Sequence, residues 1–419
     1  MDTKPSKVLG MPTGFGGMRG QFGLNGLNFF AAAVQAGFGP FIAVWLAQQG
    51  WSLNAFGLVL SIGTLTALLG QLPGGMLVDH IHAKRYAAAA ALAVLACSAI
   101  SLCLSSSFPV VAAAEMAHGL ASCVLTPAIA ALTLSVCGHE NFAERLGLNA
   151  RYAALGNAAS AAALGAASFY VSQRAVFLLT AVLVVPAMAS LLMIRASAPT
   201  EDDHPALKHP KQREHPAWRI FAEPALHVFA VAVVLFQLAN AALLPLALNG
   251  LARLHDAPGF LVSATIVVPQ IITAALAPWA GRLAQRIGRR PVLIVGFAAI
   301  PVRALSFATV QGALPLAVFQ ALDGISAAVF GLMLALIAAD LTRRTGYLNL
   351  AIGALGLASG LGATFSTVLA GWLADRFGAQ ATFLFLAGVG AAATCLLWLA
   401  MPETRPARTR HGRKAAHPA

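Results

Sequence analysis

Four ionisable side chains lie within long apolar stretches of the chain, where charged residues are rare. Glu115 and His118 share one stretch, and Arg303 and Asp323 lie in two later ones. A charge in a bilayer is energetically expensive, so each of these residues is a candidate for handling ions or protons. Glu115 and His118 are three residues apart and therefore share a helix face, which suits proton exchange between a carboxylate and an imidazole.

Each of these residues also has a structural interpretation that the sequence leaves open. Arg303 and Asp323 are expected at similar depths, roughly 12 and 13 Å from one membrane boundary. Their similar depth predicts an ion pair between Arg303 and Asp323. The pair either takes part in proton coupling or only holds two helices together. Glu115 is either a coupling residue or a solvated residue near a cavity mouth. His118 is either its partner or an ordinary packed histidine.

Uncharged amides form a second group of candidates. The apolar stretches that carry them contain no Lys or Arg, so they suit hydrogen bonding to a neutral or zwitterionic solute. The alternative is that they bond helix to helix, at about 0.6 kcal/mol per bond. The six amides predicted for a substrate cavity are Asn25, Asn28, Gln35, Gln237, Asn240 and Gln320.

The composition identifies the chain as a membrane protein. Of its 419 residues, 58% are hydrophobic and only 10% are charged, whereas a soluble domain carries about 25% charged residues. A soluble enzyme is therefore excluded. The net charge of +12 requires no nucleic acid if the basic residues lie in loops, where they set membrane orientation. The five cysteines lack metal-ligand spacing and are interpreted as small apolar fillers.

A membrane-crossing helix needs about 20 mainly apolar residues, and twelve such spans are predicted. A polar, proline-rich stretch over 196–224 divides them into two sets of six and is predicted to be a linker. This gives six-helix bundles over 20–195 and 225–400, with tails over 1–19 and 401–419. Spans 1 to 12 are placed at 20–48, 53–78, 86–106, 109–137, 148–171, 174–195, 225–252, 259–283, 291–311, 314–340, 347–374 and 379–400.

Basic residues gather on one predicted side of the membrane. Of the 27 Lys and Arg residues, only Arg174, Arg253 and Arg376 are predicted on the opposite side and only Arg303 within a span. All others, Arg151 included, are assigned to one side, which the positive-inside rule makes cytoplasmic together with both termini and the linker. The chain is thus predicted to be a multi-pass protein of the inner (plasma) membrane, without a cleaved signal peptide.

The two sets of six spans are internal repeats in the same orientation. Glu115-x-x-His118-Gly119 matches Gln320-x-x-Asp323-Gly324 at an offset of 205. Asn149-x6-Gly156 matches Asn349-x6-Gly356 at an offset of 200. An ordered series of matches predicts two parallel halves related by an axis along the membrane normal, an arrangement typical of transporters.

The same motif occurs at the end of span 2 and at the end of span 8. It consists of a glycine, then an acid or amide four residues later, and then a basic cluster. The first copy contains Gly75, Asp79, Lys84 and Arg85, and the second contains Gly281, Gln285, Arg286, Gly288 and Arg290. Together with the twelve spans, this motif resembles the major facilitator superfamily over residues 20–400. The resemblance implies a cytoplasmic gate in which the acid caps a neighbouring helix end and pairs with basic residues.

The chain departs from that family at positions that bear on coupling and on the gate. Glu115 stands where the family carries an arginine in span 4, so the role of that arginine in proton coupling does not transfer. Gln285 cannot supply the charge of the acid, and span 5 lacks the Gly-Pro pair of antiporters. Asp340 and Arg344, in the turn before span 11, are further candidates for the cytoplasmic gate.

These features predict an all-α integral membrane protein with twelve transmembrane helices in two parallel six-helix repeats. By resemblance it is a secondary active transporter of a small organic solute that works by alternating access. Proton-coupled efflux is the first hypothesis, and a proton symport importer or facilitator of a neutral or zwitterionic metabolite is the alternative. No nucleotide-binding or His-Glu-x-x-His motif occurs. We expect a monomer whose partners are the solute, protons and the lipid bilayer, with no nucleic acid, cofactor or metal.

Overall fold

A computed structural model describes residues 18–38, 40–81, 83–194, 217–253, 259–310, 312–343 and 345–405. Every regular element in these ranges is helical. The predicted tails and linker lie largely outside the described residues, apart from a 3-10 helix over Ala217–Ala222. The α-helices are α1 (Met18–Ala36), α2 (Pro40–Gln48), α3 (Leu53–His80), α4 (Lys84–Leu104), α5 (Phe108–Tyr170), α6 (Gln173–Met193), α7 (Pro224–Asn240), α8 (Leu243–Arg253), α9 (Gly259–Ile287), α10 (Arg289–Thr309), α11 (Ala313–Leu341) and α12 (Leu348–Ala400).

The helices confirm the twelve predicted spans, although helices and spans do not correspond one to one. Among the described residues, nine helices are long and apolar enough to cross a membrane. Two of them are double: α5 contains spans 4 and 5, which meet at Gly138, and α12 contains spans 11 and 12, which meet at Gly378. Both glycines have positive φ, 67° and 83°, which residues with a side chain disfavour. Span 1, divided between α1 and α2, completes the twelve.

One predicted loop is wrong. Residues 138–147 were expected to connect spans 4 and 5, but the helix resumes at residue 139, directly after Gly138. A single glycine with positive φ makes the turn, so no longer loop is needed. Residues 139–147 are therefore helical, and the side chains of Phe142, Ala143, Arg145 and Leu146 are buried.

Each half of the chain has a buried core, and the core of the second half extends to Leu134 and Phe142 of α5. In the first half, Leu27, Leu92 and Phe177 are fully buried among α1, α4 and α6. In the second half, Phe229 and Phe297 occupy the same role between α7 and α10. Many large apolar side chains also lie on the outer surface, as expected of helices that face lipid. The molecule is thus two bundles joined along shared helix faces.

The bundles meet along two helix pairs, which we call the seam: α3 against α12, and the second part of α5 against α9. The backbones touch at four glycines, where an added Cβ would overlap a carbonyl oxygen of the facing helix. All four contacts lie towards the end of the bundle where α3 and α9 finish, which we call the linker end. They join Gly75 with Asn349, Gly353 with Gln71, Gly281 with Ala143 and Gly147 with Ala277.

The four seam contacts form two equivalent pairs. Each residue of the α3–α12 contacts lies 206 positions from its counterpart in the α5–α9 contacts, as the internal repeat requires. The counterpart of Asn349 is Ala143, so the match of Asn149 with Asn349 at an offset of 200 is wrong. Residue type suggested that match, whereas the close approach of two backbones determines which positions are equivalent.

Candidate functional site

Asp79 joins the two halves at the linker end of the seam. It lies at the end of α3 and is only 4% exposed. Its carboxylate accepts hydrogen bonds from the backbone N–H groups of Leu350 at 2.8 Å and Asn349 at 3.3 Å, and from the Asn349 side-chain amide at 2.8 Å. These backbone groups belong to the first turn of α12, where free donors and the helix dipole favour a negative charge.

The basic residues that follow Asp79 lie at the start of α4. Lys84 donates through Nζ to the backbone carbonyl of Val78. Arg85 comes next in the first turn of the helix and is partly buried. The Lys84 bond ties the start of α4 to the end of α3 within the first half.

The second copy of the motif makes a different contact across the seam. Gln285, the counterpart of Asp79, donates through Nε2 to the backbone carbonyl of Glu140 at the start of the second part of α5. The amide carries no net charge, so this bond lacks the charge assistance of the Asp79 contact. Arg286 contributes its carbonyl, which accepts a hydrogen bond from Arg405 at 2.7 Å.

The segment that follows α12 binds this second copy. Glu403 accepts hydrogen bonds from the backbone N–H groups of Arg289 at 2.8 Å and Arg290 at 3.1 Å, and so caps the start of α10. Gly288 has a φ of 110°, and a Cβ at this position would overlap the Glu403 carboxylate. Arg290 also donates to the carbonyl of Trp398. The basic cluster is therefore occupied by contacts within its own half.

Arg289 is a functional candidate that the sequence did not reveal. Its Nε lies 2.9 Å from Oδ2 of Asp340, and both side chains are buried. The available signal was the Arg289-Arg290 doublet, from which the motif selected only the second residue. Asp340, predicted as a gate residue, is thus paired inside the second half. Its predicted companion Arg344 lies outside the described residues.

Arg303 is the centre of a polar cluster in the second half. It is 2% exposed, forms an ion pair with Asp323, and donates to Asn240 at 2.7 Å and to Gln320 at 3.3 Å. Gln320 in turn donates to the backbone carbonyl of Thr265 at 3.0 Å. The cluster therefore joins α10 to α7, α9 and α11. Two amides predicted for the cavity are held in it.

Three further amides predicted for the cavity are also bonded within the protein. Asn28 and Gln35 donate to carbonyls one turn earlier in α1, at 2.7 and 3.4 Å. Gln237 of α7 donates to the Ser359 hydroxyl of α12 at 2.7 Å. The Gln237 bond connects two helices of the second half, as the structural interpretation of these amides expects.

The last amide, Asn25, binds a buried arginine that the sequence placed in a loop. Arg145 is 2% exposed and donates through Nη2 to Asn25 at 2.5 Å and through Nε to Asn149 at 3.0 Å. Asn149 donates to Thr133 at 2.8 Å, so the network joins α1 to both parts of α5. Because all six amides have a partner in the protein, their contact with a solute stays a prediction.

Glu115 is buried, and no charged side chain among the described residues pairs with it. It is 7% exposed and packs against Gly63 of α3, where an added Cβ would lie 2.8 Å from Oε2. Within the part of the chain that the structure describes, Oε1 has no hydrogen-bond partner. His118 does not bond to Glu115 there and stacks on Phe38, with ring centroids 4.2 Å apart. The predicted Glu115–His118 pair is therefore not formed, and Glu115 is not a solvated residue.

The comparisons with known proteins agree with this architecture. The profile of the Major Facilitator Superfamily matches residues 24–246 and 229–419. Two Mycobacterium tuberculosis proteins, from strains CDC 1551 / Oshkosh and H37Rv, are each described as an uncharacterized MFS-type transporter. Each is 34% identical to this chain over 385 residues, which cover 90% of this chain and 92% of the relative.

Solved structures show the same fold at low sequence identity. The proton:xylose symporter XylE matches with a TM-score of 0.71 and 16% identity, over 92% of this chain and 95% of that one. The human organic anion transporter MFSD10 matches with a TM-score of 0.69 and 15% identity, over 92% and 100%. The E. coli fucose:proton symporter FucP gives 0.67 and 16%, over 90% and 97%. The chain belongs to the major facilitator superfamily of secondary transporters.

Proposed function

We propose that this secondary transporter exports a small organic solute across the inner (plasma) membrane by alternating access, in exchange for protons. Its gate lies at the linker end, and its proton site is Glu115. The alternative is proton symport into the cell, or facilitated diffusion, of a neutral or zwitterionic metabolite. Both hypotheses use the same body of two parallel six-helix halves.

The gate proposal is supported by the contacts at the linker end. To open this end, Asp79 must leave the N–H donors of α12, and Gly75 must separate from Asn349. The α5–α9 contacts, including the bond from Gln285, are equivalent by the internal repeat and would separate in the same movement. Two halves that rock against each other about a central site provide such a movement.

The observation that carries the coupling proposal is the unpartnered carboxylate of Glu115. Arg303 has Asp323 as its counter-charge, and Arg289 has Asp340. Glu115 instead faces Gly63, and its Oε1 lacks a donor among the described residues. An isolated carboxylate in an apolar site is tolerated only as the neutral acid. When the two halves part, water that enters between them reaches this group, and the carboxyl releases its proton.

The test uses everted membrane vesicles, a panel of metabolites and drugs, and pH gradients of both signs. We expect uptake of a solute into the vesicles when their lumen is acidic, and loss of this dependence in Glu115→Gln. Solute exchange without a gradient should persist in that variant, since only the proton step is removed. The control is Glu223→Gln, an exposed acid at the linker end, which should keep the gradient response.

Two results would reject parts of the proposal. Accumulation only with the opposite gradient would establish import by symport in place of export. Flux that ignores both gradients would make the protein a facilitator, and Glu115 would then have no coupling role.

A further inference from the structure

Arg151 lies in the middle of a membrane-crossing helix. It is roughly 20 Å along α5 from the turn at Gly138 and about 28 Å from the end at Tyr170, at 1.5 Å per residue. Its grouping with the cations of the cytoplasmic turn is therefore wrong, because the helix resumes at residue 139. A cation at this depth is expensive and marks a functional position.

The Arg151 side chain reaches across the seam to a carbonyl that lacks its normal partner. In α9, the backbone carbonyl of Ala274 would accept from the N–H four residues later, but that residue is Pro278, which has no N–H. Arg151 Nε donates to this oxygen at 2.8 Å. One turn nearer the linker end, Gly147 is in backbone contact with Pro278. The guanidinium is thereby held in one orientation beside the closed part of the seam.

Most donors of this guanidinium remain unused. An arginine has five N–H donors in a planar fork, and the Ala274 bond uses only the one on Nε. Within the described residues no carboxylate pairs with Arg151, whereas Arg303 and Arg289 each have one. Arg145 is also unpaired but is fully buried among amides. Arg151 is only partly buried, and among the described residues its Nη1 and Nη2 groups have no hydrogen-bond partner.

We propose that Arg151 binds the anionic group of the transported solute and that this group is a single carboxylate. The inference rests on the proposed transport function and names its substrate class. The two Nη groups present parallel N–H donors that match both oxygens of a carboxylate. One guanidinium neutralises one negative charge, whereas a phosphate monoester would leave an excess charge in the membrane interior. A zwitterion with one carboxylate fits this site, and a neutral solute does not.

The test measures thermal unfolding of the purified, detergent-solubilised chain with matched pairs of probes. Each monocarboxylate is compared with its neutral primary amide, for example benzoate with benzamide and nicotinate with nicotinamide, and phenyl phosphate is added as a dianion. We expect at least one carboxylate to raise the Tm while its amide does not. In Arg151→Gln, the carboxylate should bind roughly tenfold more weakly or worse, because a charged hydrogen-bond partner is lost.

Two variants separate binding from folding and from the seam contact. Arg151→Lys keeps the charge but loses the fork, so it should retain weak carboxylate binding even if Arg151→Gln fails to fold. The matched control is Arg174→Gln, an exposed arginine at the opposite end of the bundle, which should bind like the parent. A residue that only held the seam together would alter the binding of acid and amide equally.

The proposal is overturned if no carboxylate of the panel raises the Tm, if an amide or phenyl phosphate binds as tightly as the acid, or if Arg151→Gln binds like the parent. Carboxylate binding that depends on Arg151, combined with flux that ignores pH gradients, would reject proton coupling and leave this inference standing. Proton-driven flux of neutral solutes that is unchanged in Arg151→Gln would reject the carboxylate site and leave proton coupling standing.

Discussion

Substitution of Asp79 by Asn is expected to open the linker end of the transporter. Asp79 is 4% exposed and accepts three hydrogen bonds from the start of α12. Asparagine keeps the shape and one acceptor oxygen, but it loses the charge and turns an NH2 group towards N–H donors. The closed arrangement of the halves is therefore weakened, while the fold within each half is retained.

The magnitude follows from the contacts that are lost. A hydrogen bond to a charged group contributes about 1.5–3 kcal/mol, and a charge at a helix end adds about 0.3–1 kcal/mol. The amide oxygen of Asp79→Asn can keep the two bonds that Oδ1 accepts from Asn349, so only the bond from Leu350 N–H to Oδ2 is lost outright. We therefore expect the closed state to lose about 2–3 kcal/mol. This corresponds to a shift of roughly 30- to 150-fold in the ratio of open to closed molecules.

Pulsed electron paramagnetic resonance between two spin labels measures that ratio. Tyr86 and Trp218 are suitable positions at the linker end, because they are 77% and 68% exposed. Tyr86 lies in α4 of the first half, and Trp218 lies in the 3-10 helix directly before α7 of the second half. On a cysteine-free background, the Asp79→Asn protein should show a new population at longer distance. The matched control is Asp375→Asn, an exposed acid just before the Gly378 turn of α12, at the end of the bundle opposite the linker end. The reasoning is refuted if Asp79→Asn gives the parental distance distribution, or if Asp375→Asn shifts it equally.

Two further substitutions test the seam and the polar cluster. Gly75→Ala should move the same spin-label distances outwards, since its Cβ would overlap the Asn349 carbonyl; Gly371→Ala, with open space around it, should not. Asp323→Asn leaves Arg303 buried without a counter-charge, and we expect a loss of about 1–3 kcal/mol because Asp323 is partly exposed. Thermal unfolding measures this loss of stability, and a parental Tm in Asp323→Asn would contradict the prediction. The double variant Arg303→Met with Asp323→Leu removes both charges, so it should lose less stability than Asp323→Asn.

The spans and the repeat could be predicted from sequence because both depend on local residue patterns. A run of apolar residues is sufficient to indicate a membrane-crossing helix. The family resemblance that Gly75 and Asp79 carry implies a helix-capping acid, and the carboxylate does contact the start of α12. The partner could not be derived from the residues themselves, because Asn349 and Leu350 lie some 270 positions away along the chain.

The buried arginines show where sequence reasoning fails. The sequence places Arg145 in the loop between spans 4 and 5 and Arg151 in the first turn of span 5, so both are grouped with the cytoplasmic cations. The turn consists of one glycine, so both residues lie inside the helix. The partner of Arg151 is a backbone carbonyl, freed by Pro278 in a distant helix. No pattern of side chains encodes such a contact, because it depends on the packing of two helices and on one missing N–H.

The two sides of the seam share their backbone geometry but differ in charge, and this difference determines how the closed state is held. The α3–α12 side has a buried carboxylate on a helix end, whereas the α5–α9 side has the neutral Gln285 and the bond from Arg151 to a carbonyl. Hydrogen bonds with an ionised partner are about twice as strong as neutral ones. Asp79 accepts three of them, whereas the α5–α9 side has one, from Arg151. Much of the free energy that closes the linker end therefore resides in Asp79. The α5–α9 side separates more easily, and Arg151 stands beside it, where a solute anion can reach the guanidinium as the halves part.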